Sequence, residues 1–298
     1  MPTELYKDKI QIEYIVFYIF SLIFIFLSSA QFVSAVESSH RYFSSLQKNL
    51  IKDGFDRNTI TELYGSPRVY FETKGISLFL THREAKLNYG QFVSPKLIKR
   101  ARRYMEKHEP VLSKTEREYG VNKEVITAII LVETQLGTIL GGPSTLNTLS
   151  SMASLSDPVV RDIFWVQVSG SAQISKERFE KWVKRKSKWA YKELKVFLEY
   201  TARENIDPTS IKGSYAGAMG IAQFMPSSIY AYAKDGNYDG RIDLFNHSDA
   251  ITSVANYLKH YGWHQGIDRK EAYKVIYHYN HSNQYVETVF KVSELLKG

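Results

Sequence analysis

The sequence predicts a mainly α-helical protein with at most one small β hairpin. Three observations carry that expectation. Apolar residues recur at helical spacing along most of the chain, as in Leu97, Ile98, Ala101 and Met105. Long charged stretches such as Ser175 to Asn205 keep the same spacing, with polar residues between the apolar ones. No series of strictly alternating apolar and polar residues offers the strands of a sheet.

The elements follow in order. Tyr14 to Ala30 is almost wholly apolar, and Val33 and Ala35 fit the small-residue rule for leader cleavage. Residues 1–35 are therefore expected to be a secretory leader cut after Ala35. The alternative is an uncleaved anchor. Glu4, Asp8 and Glu13 offset Lys7 and Lys9 at the start, and the apolar run approaches the roughly 20 residues that span a bilayer. Either reading exports the remainder, 36–298, as one domain with an N-terminal helical part over 36–120 and a core over 121–298. Val69 to Phe71 and Ile76 to Leu80 flank Lys74-Gly75 and suggest a hairpin. Lys96 to Tyr119 reads as helix, broken near Pro110. Asn122 is the expected N-cap of the next helix and Gly137 its stop. Gly141 to Ser144 is a turn. Ser175 to Asn205 is helical and closed by Asp207-Pro208; Ser248 is expected to cap a helix through Leu258. Tyr261-Gly262-Trp263 ends that helix, and two more follow, Glu271 to Tyr279 and Gln284 to Leu296.

The formal net charge is +8, so the chain is drawn to anionic surfaces. No nucleic-acid motif accompanies the basic residues between Lys96 and Arg103 or between Lys176 and Lys195, and they read as solvated helical faces. With no Cys, the chain has no disulfide, thiolate ligand or lipidated N-terminal Cys.

Glu133 is the only acid between Val125 and Gly137. On a helix it shares a face with Ile126, Ile129 and Ile130, seven, four and three positions before it. A carboxyl against apolar neighbours has a raised pKa, because desolvation disfavours its charged form. Such a group can serve as a general acid near neutral pH; the alternative is a structural ion pair. Lys212 to Ser228 interleaves Gly213, Gly217 and Gly220 with small residues, which suits close approach of either a ligand or a neighbouring helix. Gln223-Phe224 sets an amide beside a ring, a pairing suited to a sugar. Asp235 to Asp243 follows the first nine positions of an EF-hand loop, with side-chain oxygens from Asp235, Asn237, Asp239 and Asp243 and a backbone carbonyl from Arg241. Asn246 stands where a bidentate acid belongs, so Asp249 is the expected substitute, and structural Ca2+ the expected ion. His264, His278 and His281 lack metal-ligand spacing and read as surface or packing residues.

Val132-Glu133-Thr134, the Gly213 to Ser228 run, Ala255-Asn256-Tyr257 and Tyr279-Asn280-His281-Ser282 together resemble the membrane-bound lytic transglycosylase B family of bacterial cell-wall enzymes. The resemblance covers roughly Asn88 to Leu296 and is weakest between Asp157 and Lys188. It implies a lysozyme-like transglycosylase fold and cleavage of the β-1,4 bond between N-acetylmuramic acid and N-acetylglucosamine without water, leaving a 1,6-anhydro end. It implies peptidoglycan strands as partner, a periplasmic location and no catalytic cofactor. By position it makes Glu133 the acid and base, and Ser214, Gln223, Tyr257, Tyr279 and Asn280 the residues around it. Phe224 would be a sugar-contacting ring. The family's paired arginines, which precede the helix containing Glu193-Leu194, fall near Arg185-Lys186. Most glycosidases need two carboxylates, substrate-assisted enzymes being an exception; neither motif here carries a second acid. The alternatives are a hydrolytic muramidase using Asp157, Glu177 or Asp243, and a catalytically idle wall-binding protein.

Overall fold

The structure is a computed structural model and describes residues 41–81, 88–170 and 174–297. The expected leader lies outside them. Among the described residues no helix is long and apolar enough to cross a membrane. The chain divides into two compact units, 1–71 and 72–298. In the first, α1 (41–52) and α2 (Arg57–Gly65) are described. Phe43, Leu46 and Leu50 recur on one face of α1 and are buried, as are Ile60 and Tyr64 of α2. Asp56 caps α2 by accepting the Thr59 N–H at 2.8 Å.

The second unit opens with α3 (Thr73–Thr81), where the sequence suggested a hairpin. Helix prevails because the Glu72 carboxylate accepts the Gly75 N–H at 3.1 Å and so satisfies a donor of the first turn. A 3-10 turn, Tyr89–Val93, leads into α4 (Pro95–Lys107) and α5 (Glu109–Tyr119). The expected break falls at His108, with Pro110 in the first turn of α5, where its missing N–H costs nothing. The axis of the unit is α6 (Lys123–Thr134). Val125 to Leu131 are all buried, so this helix is covered all round, and α4, α5, α11 and α13 pack against it.

Next, α7 (Thr145–Ser154) and α8 (Pro158–Val168) lead to α9 (Lys176–Arg203). The pair α7 and α9 pack closely, and every residue of α7 is buried. After the glycine-rich run come α10 (Pro226–Tyr232), α11 (His247–His260), α12 (Arg269–Tyr279) and α13 (Asn283–Leu296). The cap of α11 is Asn246 rather than Ser248: its side-chain oxygen accepts the Ser248 N–H at 2.8 Å. Among the described residues, β pairing is limited to isolated bridges within and beside the glycine-rich run, such as Gly213 with Met219 and Met219 with Phe224.

Candidate active site

The last turn of α6 delivers Glu133 to the wall of a cavity of about 410 Å³. Past Thr134 the helix cannot continue. Gln135, Leu136 and Gly137 all have positive φ, at 47°, 66° and 79°, so the helix stops before the expected Gly137. Thr134 fastens this end to the glycine-rich run. Its hydroxyl donates to the Ile221 carbonyl at 2.9 Å and accepts the Gly137 N–H at 3.0 Å.

The glycines of that run serve packing rather than ligand approach. A Cβ on Gly217, where φ is 93°, would lie 2.7 Å from Leu149 Cδ2; one on Gly220 would lie 2.6 Å from Leu244 Cβ. The close approach brings Ser214, Tyr215, Ala216, Ala218 and Gln223 to the cavity that Glu133 also lines. Ser214 Oγ accepts the N–H groups of Ala216 and Ala218 at 3.2 and 3.1 Å, which leaves its proton to donate elsewhere. Gln223 Nε2 donates to the Gly220 carbonyl at 2.9 Å. The last residue of α12, Tyr279, and its C-cap Asn280 also line the cavity, and Tyr279 Oη donates to the Ala222 carbonyl at 2.6 Å.

Glu133 Oε1 accepts a hydrogen bond from Tyr285 Oη at 2.7 Å. Tyr285 is 1% exposed, on the face of α13 that packs on α6. Burial, and then the charge of Glu133, push the phenols of both Tyr285 and Tyr279 well above their ordinary range, so both remain protonated donors. The two rings lie 6.4 Å apart with planes within 8°. Sequence reasoning missed Tyr285. The available signal was a phenol in the otherwise apolar stripe Tyr285, Val289, Val292 and Leu296, since a buried hydroxyl needs a partner. It also missed the rim formed by Asn88, Tyr89, Gln91 and Phe92.

Of the expected site residues, the cavity brings together Glu133, Ser214, Gln223, Tyr279 and Asn280. Phe224 and Tyr257 stand behind this wall. Phe224 is 3% exposed and sits 5.6 and 5.9 Å from the rings of Tyr257 and Tyr279, so its face is covered by other rings and is not presented to a sugar. Tyr257 Oη donates to the His278 carbonyl at 2.8 Å. Arg185 is exposed and lies inside α9, the helix that also carries Glu193, rather than before it. Its neighbour Lys186 sits 4.4 Å over the Phe79 ring, and Phe79 is 6.0 Å from the Tyr215 ring of the cavity wall. The buried Glu193 is structural: it accepts the Ser227 N–H and hydroxyl at 2.9 and 2.8 Å, at the start of α10.

Among the described residues lining the cavity, Glu133 is the only carboxylate. Asp157 caps α8 by accepting the Val159 N–H, Glu177 pairs with Lys181 on an exposed face, and Asp243 accepts the Phe245 N–H in the 235–249 loop.

That loop is organised by its own N–H groups. Asp235 accepts from Tyr238 at 2.6 Å and from Gly240 at 2.8 Å, and Asp239 accepts from Arg241 at 2.9 Å. Asn237 Nδ2 donates to Asp239 at 2.8 Å. Asp249, 1% exposed, accepts from Gly236 at 2.9 Å and Asp243 at 2.8 Å, and burial raises its pKa against those bonds. The donors are all oxygens, the chemistry of a hard cation. Among the described residues, no three His or acidic side chains stand close enough together to hold a metal ion.

Residues 38–272 match the family model of the transglycosylase SLT domain. The chain is 35% identical over 232 residues to the membrane-bound lytic murein transglycosylase B of Escherichia coli (strain K12), a match covering 74% of this chain and 57% of that protein. The chain thus spans little more than half the length of that relative. In three dimensions it is similar to the soluble lytic transglycosylase SltB1 of Pseudomonas aeruginosa, with TM-score 0.70 and 25% identity, over 85% of this chain and 97% of that one. The fold is also shared with Escherichia coli Slt35 in complex with calcium, at TM-score 0.69 and 24% identity, over 87% of this chain and 92% of that one.

Proposed function

The chain belongs to the transglycosylase SLT domain family, and from that premise we propose that it is an exported peptidoglycan lytic transglycosylase. It cleaves the bond between N-acetylmuramic acid and N-acetylglucosamine without water and leaves a 1,6-anhydro end. The observation that carries this reading is a single carboxylate, Glu133, held by Tyr285 in a cavity whose other described lining residues are neutral. A two-carboxylate hydrolysis needs a second acid across the bond, and Asp157, Glu177 and Asp243 are each engaged elsewhere.

In the first step Glu133 gives its proton to the glycosidic oxygen and the bond to the anomeric carbon breaks. The carbonyl oxygen of the substrate's own acetamido group attacks that carbon. Glu133, now a carboxylate, takes the proton of the muramoyl 6-hydroxyl. As that oxygen closes on the anomeric carbon, the acetamido oxygen leaves and no water is consumed. Ser214 and Asn280 hold the acetamido group, Ser214 through the proton its accepted bonds leave available. The Tyr279 proton is committed to Ala222, so its oxygen presents lone pairs to the positive charge developing at the anomeric carbon. Gln223 binds the sugar edge, and Tyr257 and Phe224 fix the Tyr279 ring from behind. Glu133→Gln tests the reading on purified sacculi, read by product mass. Anhydro ends from the parent and none from the variant are expected. Reducing ends from the parent, or near-full activity of the variant, would refute it.

The 235–249 loop is proposed to take up Ca2+ as a structural ion by drawing together Asp235, Asn237, Asp239, Asp243 and Asp249 and the Arg241 carbonyl, which do not stand at metal-holding distance in this structure. Its all-oxygen donor set and EF-hand spacing support this reading, as does the calcium complex of Slt35. Calorimetry is expected to show uptake of one ion that Asp249→Asn weakens, together with a rise in the unfolding temperature. No uptake at millimolar calcium would dispose of the idea.

A further inference from the structure

Past Asn280 the surface carries a row of rings that the proposed chemistry does not use. His278 and His281 are exposed, and Tyr261, Tyr273 and Tyr277 are half-buried. Tyr261 and His278 stack with centroids 4.5 Å apart and planes within 20°. His281 lies 6.4 Å from His278 and 5.1 Å from Tyr277, and Tyr277 lies 6.4 Å from Tyr273 with planes within 14°. Helical spacing aligns Tyr273 and Tyr277, and His281, just past the end of α12, packs on Tyr277. The stack of Tyr261 on His278 then joins the row to the end of α11.

The row adjoins the cavity. Beneath the surface the buried Tyr257 ring meets both Tyr279 of the cavity, at 4.9 Å, and Tyr261, at 4.7 Å, and at the surface His281 directly follows the cavity residue Asn280. Core aromatics are buried and single exposed rings are ordinary, but five contiguous rings at the surface make a patch. Tyr261 and His278 cover one face of each other, so the surfaces offered to a pyranose are those of the exposed His278 and His281 and the half-buried Tyr273 and Tyr277, whose phenol and imidazole edges suit sugar hydroxyls. A strand being cut inside the chain must also leave the cavity at its ends.

We infer that this row is a second binding site, outside the catalytic cavity, that holds an uncut stretch of the glycan strand while Glu133 acts on another. The inference rests on the reading of the cavity as a glycan-cleaving site. Two linked sites on one polymer gain through effective concentration, a gain that a short fragment cannot receive.

The test uses the full chain with Tyr277→Ala and His278→Ala together. Co-sedimentation with purified sacculi, in a Glu133→Gln background so that nothing is cut, is expected to weaken about 10-fold, as loss of two stacked rings implies. Turnover of a soluble two-disaccharide fragment by the chain with Glu133 intact is expected to be unchanged. Tyr277→Phe with His278→Phe keeps the rings and should retain sacculus binding. Three results would overturn the inference: unchanged sacculus binding in the alanine variant, equal loss in the phenylalanine variant, or a parallel fall in fragment turnover. Failure of the parent chain to cleave either substrate would sink the lytic reading instead, while sedimentation still reports on the row.

Discussion

Tyr285→Phe deletes one oxygen and, with it, the 2.7 Å bond that the phenol donates to Glu133. The ring keeps its place, because it is 1% exposed and packed against α6. A hydrogen bond to a charged group contributes about 1.5–3 kcal/mol, so losing one that is realised in the transition state lowers kcat by roughly 10- to 100-fold. The pH profile separates this role from mere packing. A donor aimed at a carboxylate favours its ionised form, so without it Glu133 holds its proton more firmly. The alkaline limb of the profile, where the acid is lost, therefore moves to higher pH. The assay is release of soluble muropeptides from sacculi across pH 4 to 9, with thermal unfolding followed in parallel. A rate within about 2-fold of the parent and an unmoved alkaline limb, in a variant that unfolds normally, would refute the idea that Tyr285 sets the state and orientation of Glu133.

Other consequences follow from the same structure. Gly217→Ala sets a side chain on backbone with φ of 93° and a Cβ 2.7 Å from Leu149 Cδ2, so it is expected to cost about 2–4 kcal/mol, read by urea unfolding; a cost below about 0.5 kcal/mol would show that the run is not held by close packing. His108 and His247 lie 4.6 Å apart beside Tyr104, which shares a 3.0 Å bond with His247. Burial, then the neighbouring His247 and Lys107, hold His108 down at about 4, and burial with Lys107 lowers His247 too. The unfolded chain therefore binds more protons than the folded one between about pH 6.5 and 4. Stability is fully present above that window and is lost as pH falls through it, by about 1–2 kcal/mol once solvent screening is allowed for. Unfolding of His108→Gln should show a flatter dependence over that range; an unchanged slope would show that this pair does not titrate with folding.

Much of the fold was legible because its causes are local. The apolar spacing of Leu97, Ile98 and Ala101, the proline in the first turn of α5 and the almost wholly apolar Val125 to Leu131 each act within a few residues. Where a local signal competed with another, the reading failed. Lys74-Gly75 looked like a hairpin turn, yet the Glu72 carboxylate caps a helix there. Ser248 looked like a cap, yet Asn246 takes that place two residues earlier. Phe224 beside Gln223 looked like a pair facing a sugar, yet neighbouring side chains diverge, and the ring turned into the aromatic cluster with Tyr257 and Tyr279.

The sequence alone determined that an isolated carboxyl ends a buried helix and that small residues at Gly213, Gly217 and Gly220 must be closely approached by something. Both are statements about single segments, fixed by side-chain chemistry and backbone sterics. Tertiary structure decided what does the approaching: Leu149 and Leu244, so that the glycines clamp the wall of the cavity and do not themselves open onto it. It also decided the company of Glu133. The phenol that holds it comes from 152 residues along the chain, and only the packing of α13 on α6 brings the two together. Spacing rules reach a turn or two of helix; the pairing of a buried acid with its donor depends on which helices bury their faces against each other, and that is settled only when the core closes.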